Sequence, residues 1–201
     1  MKLKTEAVRD RILSAASRIF LENGFDKASM SQIAACAGGS KSTLYNYFAS
    51  KEEIFAAVIR FNAHNGIEQA FVPLNDPDAP LPLCLQRFGV AYLERILAPD
   101  ILTGKRIIQH NATTSNVARI YYDNGPGLGW AKVADYLAGH MARGHLCEAP
   151  SQVAAAHLRG LLEAEFLEKS LLALIDTPDQ AALQASVERS VAVFLRAYAP
   201  A

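Results

Sequence analysis

A chain of 201 residues has room for one large domain or two modest ones and none for a multi-module enzyme. With 51% apolar and 20% charged residues it can bury a core, which excludes a disordered chain. The formal charge is zero, but residues 1–51 hold eight basic and four acidic side chains while the remainder holds twelve and sixteen, an asymmetry that points to an N-terminal anion-binding module.

No apolar run approaches the roughly eighteen residues of a membrane span, and Met1 to Glu6 is charged. A soluble, cytoplasmic protein is expected. Cys36, Cys84 and Cys147 are widely spaced and odd in number, which suits a reducing compartment. Alanine and leucine, both strong helix formers, supply 57 of the 201 residues, so an all-α fold is expected. Apolar spacing and proline placement predict helices near 5–23, 30–37, 41–47, 51–71, 82–98, 100–114, 116–124, 127–143, 151–175 and 179–198. A linker is predicted around Asn75-Asp76-Pro77-Asp78.

In the first segment Val8, Ile12, Ala15, Ala16, Ile19 and Phe20 share one face, and Asn23-Gly24 is a stop signal. The next two read as helix, tight turn, helix. Ser29 and Gln32 have capping-box spacing, Gly38-Gly39 permit a sharp turn, and Ser40 can cap the helix that follows. Leu44 and Phe48, four apart, would anchor that short helix and leave its polar face outward, as a recognition helix in a DNA major groove requires. Lys41 can reach a guanine edge or a phosphate, Thr43 and Tyr45 can donate to phosphates, and Asn46 can read an adenine edge. Lys51 can meet the DNA backbone from one flank.

Residues 5–55 resemble the DNA-binding domain of the TetR family of bacterial repressors. The likeness is carried by Gly24-Phe25 through Ile33-Ala34, by Ala37 through Phe48, and by Lys51-Glu52-Glu53-Ile54. It implies DNA contacts from Ser31, Lys41, Ser42, Thr43, Tyr45, Asn46, Tyr47 and Lys51. Three positions depart from the family pattern: Gly39 stands where valine is usual, Ser42 where glycine is frequent, and Ser31 where a basic residue is common. By the same resemblance, residues 1–50 form a three-helix helix-turn-helix domain, and residues 51–201 form a larger helical domain for effector binding and dimerisation. Tyr121 to Pro126 is similar to a break within that domain in some members.

Tyr92, His110, Tyr121, Tyr122, Trp130, His157 and Phe166 are candidates for an effector pocket. His110 and His157 sit among apolar neighbours and read as buried histidines with one hydrogen bond, with a place in the effector pocket as the alternative. Within 151–198 the apolar residues fall on more than one face, so Leu158, Leu162, Phe166, Val187, Val191 and Phe194 are candidates for a dimer interface; the alternative is that both faces pack inside one subunit. Glu163 and Glu165, within that apolar stretch, must face solvent or meet a cation. Cys36 reads as a packing residue, with a redox switch as the alternative.

None of His64, His110, His140, His145 and His157 pairs with another at i,i+3 or i,i+4, so no metal site is expected, and no motif calls for a cofactor. The sequence lacks a nucleophile elbow and a glycine-rich phosphate loop, which leaves an esterase-like helical hydrolase as a remote alternative. The expected protein is a homodimeric repressor of a pseudo-palindromic DNA operator. A small, partly apolar effector would release it by swinging the helix over 51–71. A DNA-binding protein of the same kind without an effector is the competing reading.

Overall fold

The computed structural model describes residues 2–62, 68–76, 79–113 and 116–200. His64, residues 63–67 of the predicted helix over 51–71, Pro77 and Asp78 of the predicted linker, and residue 114 of the predicted helix over 100–114 lie outside them. All regular structure among the described residues is helical. No helix among them is long and apolar enough to cross a membrane.

In chain order the helices are α1 (Lys2–Lys27), α2 (Met30–Cys36), α3 (Lys41–Tyr45), α4 (Lys51–Asn62), α5 (Glu68–Phe71), α6 (Leu81–Ile96) and α7 (Pro99–Asn111). They continue with α8 (Val117–Asn124), α9 (Pro126–Ala142), α10 (Ser151–Glu163), α11 (Leu167–Leu171) and α12 (Gln180–Ala197). A short 3-10 turn, Val72–Asn75, follows α5. The prolines mark starts as expected: Pro99 and Pro126 open α7 and α9, and Pro150 stands at the N-cap of α10. Asp179 caps α12 by accepting from the Ala182 amide at 2.8 Å. The signal at Asn23-Gly24 is also real, because Gly24 leaves the helix at φ 75° and ψ 166° and kinks α1.

The chain packs as two units. The first joins residues up to 63 with 103–126, and the second joins 64–102 with 127–201. These packing units cross residue 50, since α4 and α8 close the first one around the N-terminal helices.

The core of the first unit contains Leu13, Ile33, Leu44 and Ile54, all at most 1% exposed. Ile108 and Val117 from the later segment join it. Phe20, Phe25 and Phe55 form an aromatic triangle at its centre, with ring centroids 5.1–5.7 Å apart. Asn62 of α4 donates to Ser17 Oγ of α1 at 3.3 Å, and Arg60 donates to Asn124 at the end of α8.

The second unit is built around α6, which buries Leu85, Phe88, Tyr92 and Leu93 against α10 and α12. Leu158, Leu162, Val187, Val191 and Phe194, expected at a subunit interface, are buried at 0–1% exposure inside this single chain. Phe166 is half-buried against the same core. The apolar face that these residues share is covered by α6, so it is core rather than interface. The predicted helix over 151–175 is also interrupted. It leaves helical geometry at Phe166 (φ −122°), resumes as α11, and ends where Ala173 takes φ 55°. Glu165, beside that break, receives a forked hydrogen bond from Arg189 of α12 at 3.0 and 2.7 Å. That pairing depresses its carboxyl pKa.

Contact between α6 and its neighbours is close at Gly89. A Cβ there would lie 2.7 Å from Val187 Cγ1 and 2.9 Å from Leu162 Cδ2, both buried and stiffly packed. Gly89→Ala should therefore destabilise the protein by about 1–3 kcal/mol in urea unfolding, although alanine is the better helix former. A stability equal to or above the parent would show that α6 can move away at no cost.

Candidate nucleic-acid interface

The site grows from three caps and one buried pair. At the start of α2, Ser29 Oγ accepts from the Gln32 amide at 3.2 Å while Gln32 Oε1 accepts from the Ser29 amide at 2.9 Å, which completes the capping box. α2 ends in a Schellman motif. Gly38 sits at φ 67°, its N–H donates to Ala35 O at 3.1 Å, and the Gly39 N–H donates to Ala34 O at 3.0 Å. Ser40 then caps α3, accepting from the Thr43 amide at 3.0 Å.

α3 is only five residues long and cannot persist in water by its own hydrogen bonds. Leu44 and Phe48, 1% and 4% exposed, fasten it to the core. What remains outward is polar: Ser31 on α2, Lys41, Ser42 and Tyr45 on α3, and Asn46 just after it are all exposed. Tyr45 is 48% exposed, an unusual position for an aromatic ring with nothing in the chain to cover it. Thr43 is half-buried, its hydroxyl 2.8 Å from Ser40 Oγ, and Tyr47 is half-buried against the core.

Lys51 differs from its expected role. Its ammonium donates to three backbone carbonyls, Phe25 at 2.8 Å, Asp26 at 3.2 Å and Ala28 at 3.1 Å, and lies 4.4 Å from the centre of the Phe25 ring. All three of its protons are thus engaged within the chain. Lys51 fastens the carbonyls left open after the Gly24 kink and ties α4 to the turn before α2. Glu53 completes the corner, accepting from the Ala49 amide at 2.7 Å while its own amide donates to Ser50 Oγ at 3.2 Å. The spacing from Gly24 to Lys51 carries no local signal for this contact, which forms only when α4 packs on α1.

Cys36, read as a packing residue, is half-buried, and its sulfur accepts from Arg18 at 2.6 Å. Gly39 stands at the mouth of a shallow crevice lined by Val8, Arg11, Ile12, Ala34 and Leu44.

The residues expected to line an effector pocket do not converge. Tyr92 and Trp130 meet in the second unit, ring centroids 5.1 Å apart. The Tyr92 hydroxyl donates to Glu163 Oε1 at 2.5 Å, and Arg159 donates to the same oxygen at 2.9 Å, so Glu163 does meet a cation. Burial first, and then the Glu163 charge, push the Tyr92 phenol well above its usual range. Tyr121 instead packs against the core of the first unit, and His110 and Tyr122 are exposed. His157 is exposed as well, its Nδ1 2.7 Å from Tyr198 Oη. The expectation that both histidines are buried is therefore corrected: each lies on the outward side of its helix, where apolar sequence neighbours point elsewhere. Among the described residues, no group of three or more His, Cys, Asp or Glu side chains could hold a metal ion.

The arrangement of α1 to α4 is matched by the family model for bacterial regulatory proteins of the tetR family over residues 12–58. Residues 84–200 match the C-terminal domain of AefR-like transcriptional repressors. The chain belongs to the TetR family. It is a DNA-binding transcriptional regulator whose C-terminal part is of the AefR-like kind. Similar proteins include the transcriptional activator FasR of Mycolicibacterium smegmatis, 34% identical over 90 residues that make up 43% of this chain and 41% of FasR. The regulator UidR of Escherichia coli is 46% identical over 59 residues, 29% of this chain and 30% of UidR. The matched stretches thus span less than half the length of these curated relatives. Among solved structures, the flavonoid-responsive regulator FrrA is 31% identical with a TM-score of 0.83, covering 97% of this chain and 98% of its own. A TetR-family regulator from Mesorhizobium loti has 25% identity and a TM-score of 0.82, covering 96% and 98%.

The two turn glycines should respond oppositely to substitution. Gly38→Ala places a Cβ on a left-handed residue and should cost about 1–2 kcal/mol. Gly39 has an ordinary backbone and no atom within 4 Å of a built Cβ, so Gly39→Ala should raise stability by about 0.4–1 kcal/mol through loss of unfolded-chain entropy. Thermal unfolding of both variants decides, and shifts of the same sign would contradict the turn geometry.

Proposed function

We propose that this protein is a cytoplasmic homodimeric repressor, and not an enzyme, whose two heads grip a pseudo-palindromic operator and release it when a small, partly apolar molecule binds. The observation that carries the DNA role is the outward face of α3, where Lys41, Ser42, Tyr45 and Asn46 stand exposed on a helix capped by Ser40 and anchored by Leu44. Ser31 and the partly covered Thr43 and Tyr47 flank that face. Lys41 and Asn46 carry the donors suited to base edges, and the hydroxyls carry those suited to phosphates. In a dimer the two copies of α3 enter successive major grooves, about 34–36 Å apart. Lys51 serves by holding the α4 corner, so its contribution to DNA binding is positional.

Second-copy docking fits the outer faces of α10 and α12, the sides turned away from α6. Val153 and Val193 are 46% and 43% exposed there, and Ala156 and Gly160 are exposed beside Val153. Nothing lies within 4 Å of a Cβ built on Gly160, so another helix can approach its backbone closely. FrrA, 31% identical to this chain, is a flavonoid-responsive regulator. That supports an aromatic small molecule as the effector class, with the Tyr92–Trp130 pair as its candidate contact. Such a ligand lowers operator affinity only by preferring the conformation whose heads are wrongly spaced. α4 is the element that transmits the change, because it holds the head through Lys51 and α8 through Arg60.

Mobility-shift titrations test the head. Lys41→Ala and Tyr45→Ala should weaken operator binding while leaving the circular dichroism spectrum intact, and Lys41→Ala should lower the salt slope by about 0.9 per lost phosphate contact. Lys51→Met should leave that slope unchanged and reduce stability by about 1–3 kcal/mol as buried carbonyls lose their donor. Parent affinity in both α3 variants would remove α3 from the interface. An aromatic effector should raise the melting temperature and lower operator affinity in the same assay, and a panel that does neither would favour regulation without a ligand. For the dimer, Gly160→Glu should yield a folded monomer in sedimentation velocity, whereas a surviving dimer would move the interface off α10.

A further inference from the structure

α9 ends in a second Schellman motif. Gly144 sits at φ 71°, its N–H donates to Met141 O at 2.9 Å, and the His145 N–H donates to His140 O at 2.9 Å. This pattern brings the side chains of the first and last residues of the motif together, and an apolar pair commonly fills the place. Here two imidazoles do. His140 Nδ1 lies 3.0 Å from His145 Nδ1, with ring centroids 5.2 Å apart.

Two ring nitrogens at that distance form a hydrogen bond only if one carries a proton and the other a lone pair. The surroundings decide which. His140 is 7% exposed and lies tilted against the Tyr136 ring, centroids 4.6 Å apart, whereas His145 is exposed. The charged and titratable groups near the pair are Arg143, which follows α9, and His145 itself. Beyond the Tyr136 ring stand the Cys84 thiol of α6 and Asp76, which precedes α6. Burial, then Arg143, then His145 disfavour a cationic His140 and hold its pKa below the ordinary 6.5. His145, in water at the negative end of the α9 dipole, is the better place for charge. His145 Nδ1–H therefore donates to the lone pair on His140 Nδ1. A proton on His145 Nε2 would leave this bond in place and make it charge-assisted. A proton on His140 Nδ1 instead sets two N–H groups against each other and beside Arg143.

We propose that His140 and His145 form a proton-sensitive clasp at the C-terminal end of α9, closed while His140 Nδ1 keeps its lone pair and opened when that atom takes a proton. The clasp guards the short connection to α10, which is fastened to the end of α12 by the Cys147 N–H donating to Tyr198 O at 2.9 Å. Because His140 titrates lower when folded than unfolded, its stabilising effect is complete above the unfolded value of about 6.5. It is lost as pH falls from there through the depressed folded value. Acidification thus loosens this end of the second unit.

Nuclear magnetic resonance of the full-length, 15N-labelled protein tests the clasp. At neutral pH a through-hydrogen-bond coupling should link the two Nδ1 atoms, with the proton on His145, and the His140 midpoint should fall below the ordinary 6.5. In His145→Gln, an exposed change that leaves the core intact, the coupling disappears and the His140 midpoint rises as the neighbouring cation is removed. Amide exchange at Gly144 and His145 should accelerate below the His140 midpoint in the parent. Absence of the coupling, or a His140 midpoint at or above the ordinary 6.5 and unmoved by His145→Gln, would overturn the proposal.

Discussion

A five-residue helix cannot hold its own shape in water, and the exposed polar face of the helix-turn-helix is carried by such a helix. Its conformation is borrowed from the burial of Leu44 and Phe48 in a core that α1, α2, α4, α7 and α8 build together. The surrounding structure follows from that constraint. Ser29 and Ser40 satisfy helix starts that have too few turns to share the cost of open amides, and Gly38 turns the chain within two residues. Lys51 closes the remaining gap by filling the carbonyls that the Gly24 kink leaves open. The positive charge of the N-terminal stretch is therefore divided between two uses, with Lys41 facing outward and Lys51 spent on the scaffold.

The second unit obeys a different constraint, the closeness of α6 to α10 and α12. Gly89 lets the helices approach until Val187 and Leu162 occupy the space of a missing side chain, and Ser190 of α12 donates to Leu161 O of α10 at 2.9 Å. Packing at this distance uses up the main apolar faces of α10 and α12 inside one chain. The sides left over carry small residues and isolated valines, a surface suited to a second helix pair rather than to water alone.

Local signals were legible wherever a few neighbouring residues suffice. The capping box at Ser29 and Gln32, the Ser40 cap and the Gly38 turn appear in the structure as the sequence pattern predicts, because each depends on contacts three to five residues apart, and the four-residue spacing of Leu44 and Phe48 marks the side of α3 that is buried. Illegible features depend on distant partners. Helical spacing marks Leu158, Leu162, Val187, Val191 and Phe194 as an apolar face, but spacing does not say whether α6 or a second subunit covers it. The break at Phe166 has no proline or glycine to announce it, and the helical rhythm continues through it. His140 and His145 escape a search at helical spacing because they meet across a turn, where five positions apart becomes adjacent once Gly144 is left-handed.

By itself the sequence determined the all-helical class, the helix-turn-helix and its outward residues, since propensity, caps and short-range periodicity are properties of the chain alone. Only the tertiary structure decided that Lys51 belongs to the scaffold, that the expected interface residues are core, and that Tyr92 and Trp130 meet while Tyr121 and His110 lie in another packing unit. The physical reason is the same throughout. Burial and charge pairing are settled by which surfaces cover one another, and that choice is made among residues far apart in the chain.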